Sequence, residues 1–264
     1  MTKIHPTAIV AAGAEIADDA EIGPYCILGD QVKLGPRCQL RSHVVIEGVT
    51  EIGADCVVYP FVSLGAAPQH AAHRGEATRL VLGERNLIRE HVTMHSGTVL
   101  GGGVTRVGSD GLFYVGCHVA HDCVVGDHVI LTNSAALGGH VVIEDFAILG
   151  GLSAVAQHLR IGRYAFVGGC AGVHHDVIPF GNVWGNPAHM KGLNLIGMKR
   201  HGFSRDEVNT LRAAYRLLFA DEGTFQERVE DAAQTYADSP GVMGVIEFIR
   251  AEEGRPIIMP ARDL

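Results

Sequence analysis

The sequence lacks several features that would place it in a large class of proteins at once. No apolar run is long enough to cross a membrane, and no secretory signal pattern precedes the first repeat at Ile4. CxxC and HExxH motifs are absent, which removes the commonest zinc signatures. A net charge of −8 argues against a general nucleic-acid binder. We therefore expect a soluble, cytoplasmic protein with no membrane span and no nucleic-acid partner.

Charged residues are also scarce, at 19% of the chain, whereas glycine occurs 34 times. Such a composition is typical of a globular protein that is rich in tight turns. A chain of 264 residues buries a substantial core and has room for one large domain and a smaller one.

An apolar residue recurs at every sixth position over most of the chain before Pro179. Twelve consecutive positions at this spacing are apolar: Val107, Phe113, Val119, Val125, Leu131, Leu137, Ile143, Leu149, Val155, Ile161, Val167 and Val173. The same period runs from Ile4 to Leu64 and resumes at Leu82. A fixed six-residue period is typical of a parallel β-helix, in which three hexads make one triangular coil.

Small residues accompany the hexads at two further positions. Two positions before each apolar residue lies a second inward-facing set, which includes Cys26, Cys38, Cys56, Cys117 and Cys123. We interpret these cysteines as packing residues and not as disulfides or zinc ligands. Glycine recurs one position after the apolar residue, where we expect the chain to turn a corner with unusual backbone angles: Gly108, Gly126, Gly138, Gly150, Gly162 and Gly168.

The period fails at two places, near residues 66–81 and 100–106. The first is a polar stretch, and the second shifts the phase of the repeat by one residue. We predict inserted loops at both places, which is where binding residues concentrate on a rigid scaffold. The alternative interpretation is that both are tolerated surface insertions.

After Pro179 the pattern becomes helical. Capping boxes at Ser204–Glu207 and Thr224–Glu227 each precede apolar residues at helical spacing, and Ser239 followed by Pro240 predicts a third helix. We therefore predict a β-helix over 1–190 and a small α-helical domain over 191–264. This domain contains a basic cluster, interpreted either as a solvated helix face or as a site for an acidic partner or a phosphate: Lys199, Arg200, Arg205, Arg212 and Arg216.

A coil of three hexads predicts which residues stack on each other, because position n lies about 4.8 Å from position n + 18. One predicted ladder is His121, Gly139 and Gln157; its neighbour is Asp122, His140 and His158. A histidine base beside a bare glycine amide is the minimum equipment for acyl transfer. Zinc binding is the competing use of clustered histidines.

Several segments are far more specific than the hexad repeat. The stretch HVAHDCVVGDHVILTNSAALGGHVVIEDFAILGGLSAV and the pieces GGCAGV, GNPA, MKRHGFSR, GEATR and HSGTVLGGGVTRVGSD resemble the UDP-N-acetylglucosamine O-acyltransferases that start lipid A synthesis. The resemblance covers essentially the whole chain. It implies a homotrimer of left-handed parallel β-helices, with active sites between subunits and a small helical domain at the C-terminus.

The resemblance also implies the reaction and its partners. A 3-hydroxyacyl group would move from acyl carrier protein to the 3-position of the UDP-linked sugar. The acyl group is carried on the phosphopantetheine of the carrier protein, and no other cofactor and no metal is implied. The basic helical domain would meet the acidic carrier protein through complementary charge.

The resemblance assigns roles to ten residues. His121 would be the general base, Asp122 would orient its imidazole, and the Gly139 N–H would hold the oxyanion. Gly169 would limit the length of the acyl chain, and glycine there predicts a longer chain, of about C12 or more. The remaining six would bind the substrate: Gln69, His118, His140, Gln157, Asn194 and Arg200.

The chain departs from the family pattern around the expected sugar and nucleotide. Ala72 replaces a lysine, His70 a carboxylate, Ala156 a histidine and His201 an arginine. A 3-amino sugar acceptor, giving an amide, therefore stays open as an alternative. Three further alternatives are a zinc-dependent lyase of the carbonic-anhydrase type, a non-catalytic β-helix, and the N-acyltransferase that acts later in the same pathway.

Overall fold

The structure is a computed structural model that describes residues 2–252 and 254–261. Short strands follow the hexad period along the chain. In chain order the described strands are β1 (Lys3–Ile4), β2 (Ile9–Val10), β3 (Glu15–Ile16), β4 (Glu21–Ile22), β5 (Ile27–Leu28), β6 (Val32–Leu34), β7 (Gln39–Leu40), β8 (Val45–Ile46), β9 (Val49–Ile52), β10 (Val57–Val58), β11 (Ser63–Ala66), β12 (Arg79–Leu82), β13 (Leu87–Ile88), β14 (Thr93–His95), β15 (Val104–Val107), β16 (Leu112–Phe113), β17 (His118–Val119), β18 (Val124–Val125), β19 (Ile130–Leu131), β20 (Ala136–Leu137), β21 (Val142–Ile143), β22 (Ile148–Leu149), β23 (Ala154–Val155), β24 (Arg160–Ile161), β25 (Phe166–Val167), β26 (Gly172–Val173), β27 (Gly181–Trp184) and β28 (His189–Leu193).

The strands form three sheets, which are the faces of a triangular prism. Sheet A has the order β1-β4-β7-β10-β13-β16-β19-β22-β25-β27-β28, sheet B β2-β5-β8-β11-β14-β17-β20-β23-β26, and sheet C β24-β21-β18-β15-β12-β9-β6-β3. All neighbouring strands described are parallel except β27 and β28. His118 pairs with Ala136, and Ala136 pairs with Ala154, so the predicted coil of three hexads is confirmed.

Both insertions leave the prism at the edge between sheets B and C. Ile52 pairs with Leu82, which lies twelve positions further along the chain than a regular coil would place its partner. Leu82 pairs with Val107, which lies seven positions further than a regular coil allows. Twelve residues are two whole hexads and preserve the phase of the repeat, whereas seven shift it by one. The first insertion lies at 67–78, and the second, at 96–103, includes a 3₁₀ turn, Val99–Gly101.

The structure gives a different reason for the recurring glycines from the one predicted. Residues with positive φ are found at the corners, but most of them are not glycine: Asp122, His140 and His158 have φ of 60°, 61° and 62°. Gly126 and Gly138 do not have positive φ, so the prediction of unusual backbone angles there was wrong. A Cβ atom on either residue would lie 2.8 Å from a backbone nitrogen of the next coil. Glycine is needed because the coils approach closely.

The inward-facing residues form one continuous apolar core along the prism. The interpretation of five cysteines as packing residues is confirmed, since all five are free and buried: Cys26, Cys38, Cys56, Cys117 and Cys123. Burial raises the pKa of the Cys117 and Cys123 thiols to about 12, which keeps them protonated. Cys170, the sixth, is exposed.

Helices follow the last coil: α1 (Leu195–Arg200), α2 (Arg205–Leu218), α3 (Phe225–Thr235) and α4 (Pro240–Arg250). Both predicted capping boxes are present, at Ser204–Glu207 and Thr224–Glu227, and α4 begins at Pro240 as predicted. Strand β28 runs across residue 190, where we predicted the domain boundary. Met1, Glu253 and residues 262–264 of the predicted domains lie outside the described residues. Within the described part of the chain, no helix is both long and apolar enough to span a membrane.

Three edges join the faces of the prism, and each stacks its own kind of side chain. The edge between sheets C and A carries alternating charges and is called the ion-pair edge: Arg37, Asp55, Arg85 and Asp110. The edge between sheets A and B carries stacked exposed rings and is called the aromatic edge: Tyr25, His43, Phe61 and His91. The edge between sheets B and C is called the histidine edge: His121, Asp122, Gly139, His140 and His158.

Candidate active site

His121 and Asp122 form a hydrogen-bonded pair at the corner that follows β17. The Nδ1 atom of His121 lies 2.8 Å from Oδ2 of Asp122, and the two residues are only 8% and 6% exposed. An ionised carboxylate only accepts hydrogen bonds, so Nδ1 of His121 carries the proton of the neutral ring. Its Nε2 atom is therefore left with a free lone pair, which is what a general base requires.

Asp122 is held by the second insertion. The backbone N–H and the side-chain hydroxyl of Thr98 donate to its two carboxylate oxygens, and each hydrogen bond is 2.7 Å long. Its own N–H donates to Oγ1 of Thr105. Burial alone raises the pKa of Asp122, but the bonds from Thr98 and His121 outweigh burial and leave that pKa below its usual value. The carboxylate therefore stays ionised beside the base. Sequence reasoning missed Thr98, although it lies in the distinctive piece HSGT.

Gly139 stacks on the His121 ring, as the coil period predicts. A Cβ atom at position 139 would lie 2.5 Å from Cε1 and 2.8 Å from Nε2 of His121, so only glycine fits beside the ring. The carbonyl oxygens of His121 and Gly139 accept hydrogen bonds from His140 and His158. In the described part of the chain the Gly139 N–H donates to no other group, which leaves a backbone donor beside the base.

Further imidazoles surround this pair. The His140 ring meets His121 edge to face, with centroids 5.3 Å apart, and its Nε2 atom lies 3.5 Å from the Asp122 carboxylate. Burial lowers the pKa of His140, with Asp122 acting in the opposite direction. Burial, together with His95 and His121, lowers the pKa of His118 to about 4, so its ring is neutral at physiological pH. The outward-facing His118 side chain also lies 2.7 Å from Oγ1 of Thr93.

The other predicted substrate residues lie at varying distances from the pair. Gln157 is exposed one coil beyond Gly139, and Gln69 is exposed on the first insertion. Asn194 caps α1 instead: its amide oxygen accepts from the Gly197 N–H, and its amide nitrogen donates to the Tyr164 carbonyl. Arg200 is exposed at the end of the same helix. The described structure shows no contact between Asn194 or Arg200 and the histidine pair of the same chain.

Gly169 lies on the far side of sheet B from the histidine pair, at the corner between sheets A and B. A Cβ atom there would meet the Gly151 carbonyl oxygen at 3.3 Å and otherwise touch almost nothing. Two glycines therefore stack in successive coils and leave open space at this corner. The predicted role of Gly169 in limiting chain length stays a prediction.

A metal ion is the other chemistry that this cluster suggests. His121, Asp122 and His140 each offer a ligand atom, and these atoms lie within 4.8 Å of one another. Zinc ligands point at the ion from about 2.0 to 2.2 Å, whereas His121 and Asp122 point at each other and Thr98 occupies both carboxylate oxygens. The arrangement suits a histidine base and its orienting carboxylate better than it suits a zinc site.

The hexapeptide β-helix places the chain in the class of hexapeptide-repeat transferases. Residues 13–48 match the family described as bacterial transferase hexapeptide (six repeats). Residues 176–258 match the family described as UDP N-acetylglucosamine O-acyltransferase, domain 2. The chain belongs to the UDP-N-acetylglucosamine O-acyltransferase family.

Full-length relatives support this assignment. The chain is 58% identical over 262 residues to the acyl-[acyl-carrier-protein]–UDP-N-acetylglucosamine O-acyltransferase of Caulobacter vibrioides, covering 99% of this chain and 100% of that protein. It is 45% identical to the enzyme of the same name from Agrobacterium fabrum, covering 98% and 96%. The crystal structure of the UDP-N-acetylglucosamine O-acyltransferase from Moraxella catarrhalis superposes with a TM-score of 0.93 at 41% identity, covering 97% of this chain and 99% of that one. The predicted family and fold class, a left-handed parallel β-helix with a small C-terminal helical domain, are confirmed.

Proposed function

We infer that this protein is an acyl-[acyl-carrier-protein]–UDP-N-acetylglucosamine O-acyltransferase, which catalyses the first step of lipid A biosynthesis. The observation that carries this conclusion is the 58% identity to an enzyme of that name over the whole length of both chains. The hydrogen-bonded pair His121 and Asp122 beside the Gly139 amide supplies the groups that the reaction needs.

Direct attack on the thioester is the mechanism that these residues support. Nε2 of His121 takes the proton of the sugar 3-hydroxyl as its oxygen forms a bond to the thioester carbonyl carbon. The Gly139 N–H donates to the oxyanion that develops, which is where a fixed donor lowers the barrier most. The C–S bond then breaks, and the imidazolium of His121 returns the proton to the leaving thiolate. Asp122 stabilises the positive charge that His121 carries in between.

The donor is the phosphopantetheine thioester of acyl carrier protein, and the mechanism uses no cofactor beyond this arm. The basic cluster supports contact with an acidic carrier protein. All five of its members are exposed on α1 and α2: Lys199, Arg200, Arg205, Arg212 and Arg216. A cytoplasmic location follows from this donor.

A homotrimer with active sites between subunits would explain two features of the single chain. Sheet A presents a row of apolar side chains outward that are only half-buried: Val57, Leu87, Leu112, Ile130, Ile148 and Phe166. A row of this length on a flat face favours side-by-side association. Asn194 and Arg200 also lie away from their own histidine pair, so their substrate roles require the pair of a neighbouring subunit.

Mixed trimers test this arrangement. The variants His121→Ala and Arg200→Ala are each expected to be nearly inactive alone. Refolding the two together should restore activity, because some interfaces then combine an intact His121 with an intact Arg200. No recovery on mixing, with trimers verified by light scattering, would contradict shared sites.

The function itself is tested by mass spectrometry of the product. The purified protein is given a mixture of acyl carrier protein thioesters with UDP-N-acetylglucosamine or its 3-amino analogue. We expect a 3-O-acyl product from the first sugar, and the acyl chain found in it reports the length preference. Product from the amino sugar alone would overturn the assigned acceptor in favour of amide formation.

A further inference from the structure

The first insertion places a third imidazole against the proposed base. The His70 ring meets the His121 ring nearly at right angles, with centroids 5.2 Å apart and an interplanar angle of 82°. The His140 ring meets His121 in the same manner, at 5.3 Å and 88°. The base is therefore in contact with two perpendicular rings, one from the scaffold and one from the inserted loop.

The loop that carries His70 is fixed by its own contacts. The Glu76 carboxylate accepts a hydrogen bond of 2.7 Å from the backbone N–H of Arg74 and lies 3.0 Å from Nδ1 of His73. The Arg74 guanidinium donates to the carbonyl oxygens of Ala71 and His73. Backbone hydrogen bonds also form turns on both sides of His70. The His70 N–H donates to the Pro68 carbonyl oxygen, and the His73 N–H donates to the His70 carbonyl oxygen.

The orientation of the His70 ring is fixed as well. The Ala72 N–H donates to the Nδ1 atom of His70 at a distance of 3.3 Å, so this nitrogen faces back into the loop. The ring is thereby held across His121 by its own loop. Its hydrogen bond is made away from the base.

Asp122 holds only one atom of His121, and a ring held by one hydrogen bond is free to tilt about it. Gly139 lies against Cε1 and Nε2 but has no side chain that would stop such a tilt. The perpendicular rings of His70 and His140 supply that restraint. A misplacement of about 1 Å in a catalytic group costs on the order of 100-fold in rate.

We propose that His70 is a positioning residue, whose ring packs against His121 and keeps Nε2 of the base directed at the site beside the Gly139 amide. The proposal rests on the proposed function, because it takes His121 to be the base. It assigns the role to the shape of the ring and not to a bond between His70 and the substrate.

The test compares His70→Ala with His70→Phe, which keeps an aromatic ring and removes both nitrogens. We expect His70→Ala to lower kcat about 10- to 100-fold with little change in KM for the UDP-sugar. His70→Phe should recover most of the lost kcat. His128→Ala is the matched control, since His128 stacks on Phe146 at the ion-pair edge and should retain full activity.

Three results would overturn the proposal. One is an unchanged kcat in His70→Ala, and another is a loss confined to KM. The third is a His70→Phe variant as slow as His70→Ala, which would mean that an imidazole nitrogen meets the substrate directly. Calorimetric binding of the UDP-sugar to each variant verifies that the site is folded.

Failure of the proposed function is recognised separately. If His121→Ala retained most of the activity of the unmodified protein, the base assignment would fail whatever the His70 variants did. If His121→Ala is inactive and His70→Ala is fully active, only the positioning role is lost.

Discussion

The histidine edge and the ion-pair edge have the same backbone conformation at their corners, but the polar pair is buried at the first and exposed at the second. Both place residues of positive φ at their corners and stack them coil on coil. At the ion-pair edge Arg37 binds Asp55 through two hydrogen bonds of 2.7 and 2.6 Å, and this pair stays exposed. At the histidine edge His121 and Asp122 are buried. The difference in burial comes from the insertions and not from the coil.

Both insertions emerge at the histidine edge, next to the coil that carries His121. The segment 96–103 supplies Thr98, which satisfies the buried Asp122 carboxylate. The segment 67–78 supplies His70, whose ring contacts the base. Buried polar groups are costly unless every hydrogen bond is made, so a regular coil alone does not support such a pair. The repeat sets the distance between stacked residues, and the two insertions supply the side chains that surround the buried histidine–aspartate pair.

The most severe test of this contrast is His121→Ala. Loss of a general base lowers kcat/KM by about 100- to 10,000-fold. The thermal midpoint should change little, because the ring lies outside the apolar core and both carboxylate oxygens of Asp122 still accept from Thr98. Steady-state rates and a melting curve measure both effects. His43→Ala, which removes an exposed ring from the aromatic edge, is the control and should be fully active. Equal activity of the two variants would contradict a special role for the histidine edge.

Gly139→Ala should be nearly as damaging, by about 100-fold in kcat. Its Cβ atom would lie 2.5 Å from Cε1 of His121 and would push the base out of place. The matched control is Gly29→Ala at the same edge in an early coil, where the nearest atom to the new Cβ lies 3.5 Å away. Steady-state assays compare the two. If both variants lost activity alike, the loss would reflect the coil and not the base.

Gly169→Met is expected to change selectivity more than rate. The added side chain would fill the open corner beside Gly151 and shorten the preferred acyl chain. Competition between carrier-protein thioesters of different length, followed by mass spectrometry of the product, measures this. An unaltered length profile would show that the acyl chain ends elsewhere.

The repeat made part of the site predictable. An uninterrupted coil has a fixed length, so the stacking of Gly139 on His121 followed from counting three hexads along the chain. Thr98 lies 24 residues before Asp122 and inside the second insertion, where counting hexads gives no stacking partner. His70 lies inside the first insertion, so counting does not predict its contact with His121 either.

The wrong prediction of unusual backbone angles at the recurring glycines has a different cause. A recurring glycine reports that a side chain is excluded, but the sequence does not distinguish a backbone that needs positive φ from a space too small for Cβ. At Gly126 and Gly138 the space is the reason. The corner angles themselves are taken by non-glycine residues such as Asp122 and His140, whose residue types enter the left-handed region more often than most other side chains do.

The neutral His118 ring, on strand β17 of sheet B, predicts that the stability of the protein is sensitive to acid. Its pKa is about 4 in the folded protein and about 6.5 when unfolded, so the unfolded chain binds more protons between these values. Stability should therefore fall as the pH drops from about 6.5 to about 4. In His118→Asn this decline should be shallower, which urea unfolding at several pH values measures. Parallel stability curves for the two proteins would contradict the burial of a neutral imidazole.

The mildest change is expected at the ion-pair edge, with Arg37→Ala. The Arg37 and Asp55 side chains are both exposed, and exposed ion pairs contribute little to stability because water and salt screen them. We expect a shift of the unfolding midpoint of no more than about 2 °C and unchanged kcat. Calorimetry at low and high salt tests this, since the small difference between the two proteins should vanish as salt rises. A large loss of stability that survives high salt would mean that the two edges are equally demanding, and that burial by the insertions is not what separates them.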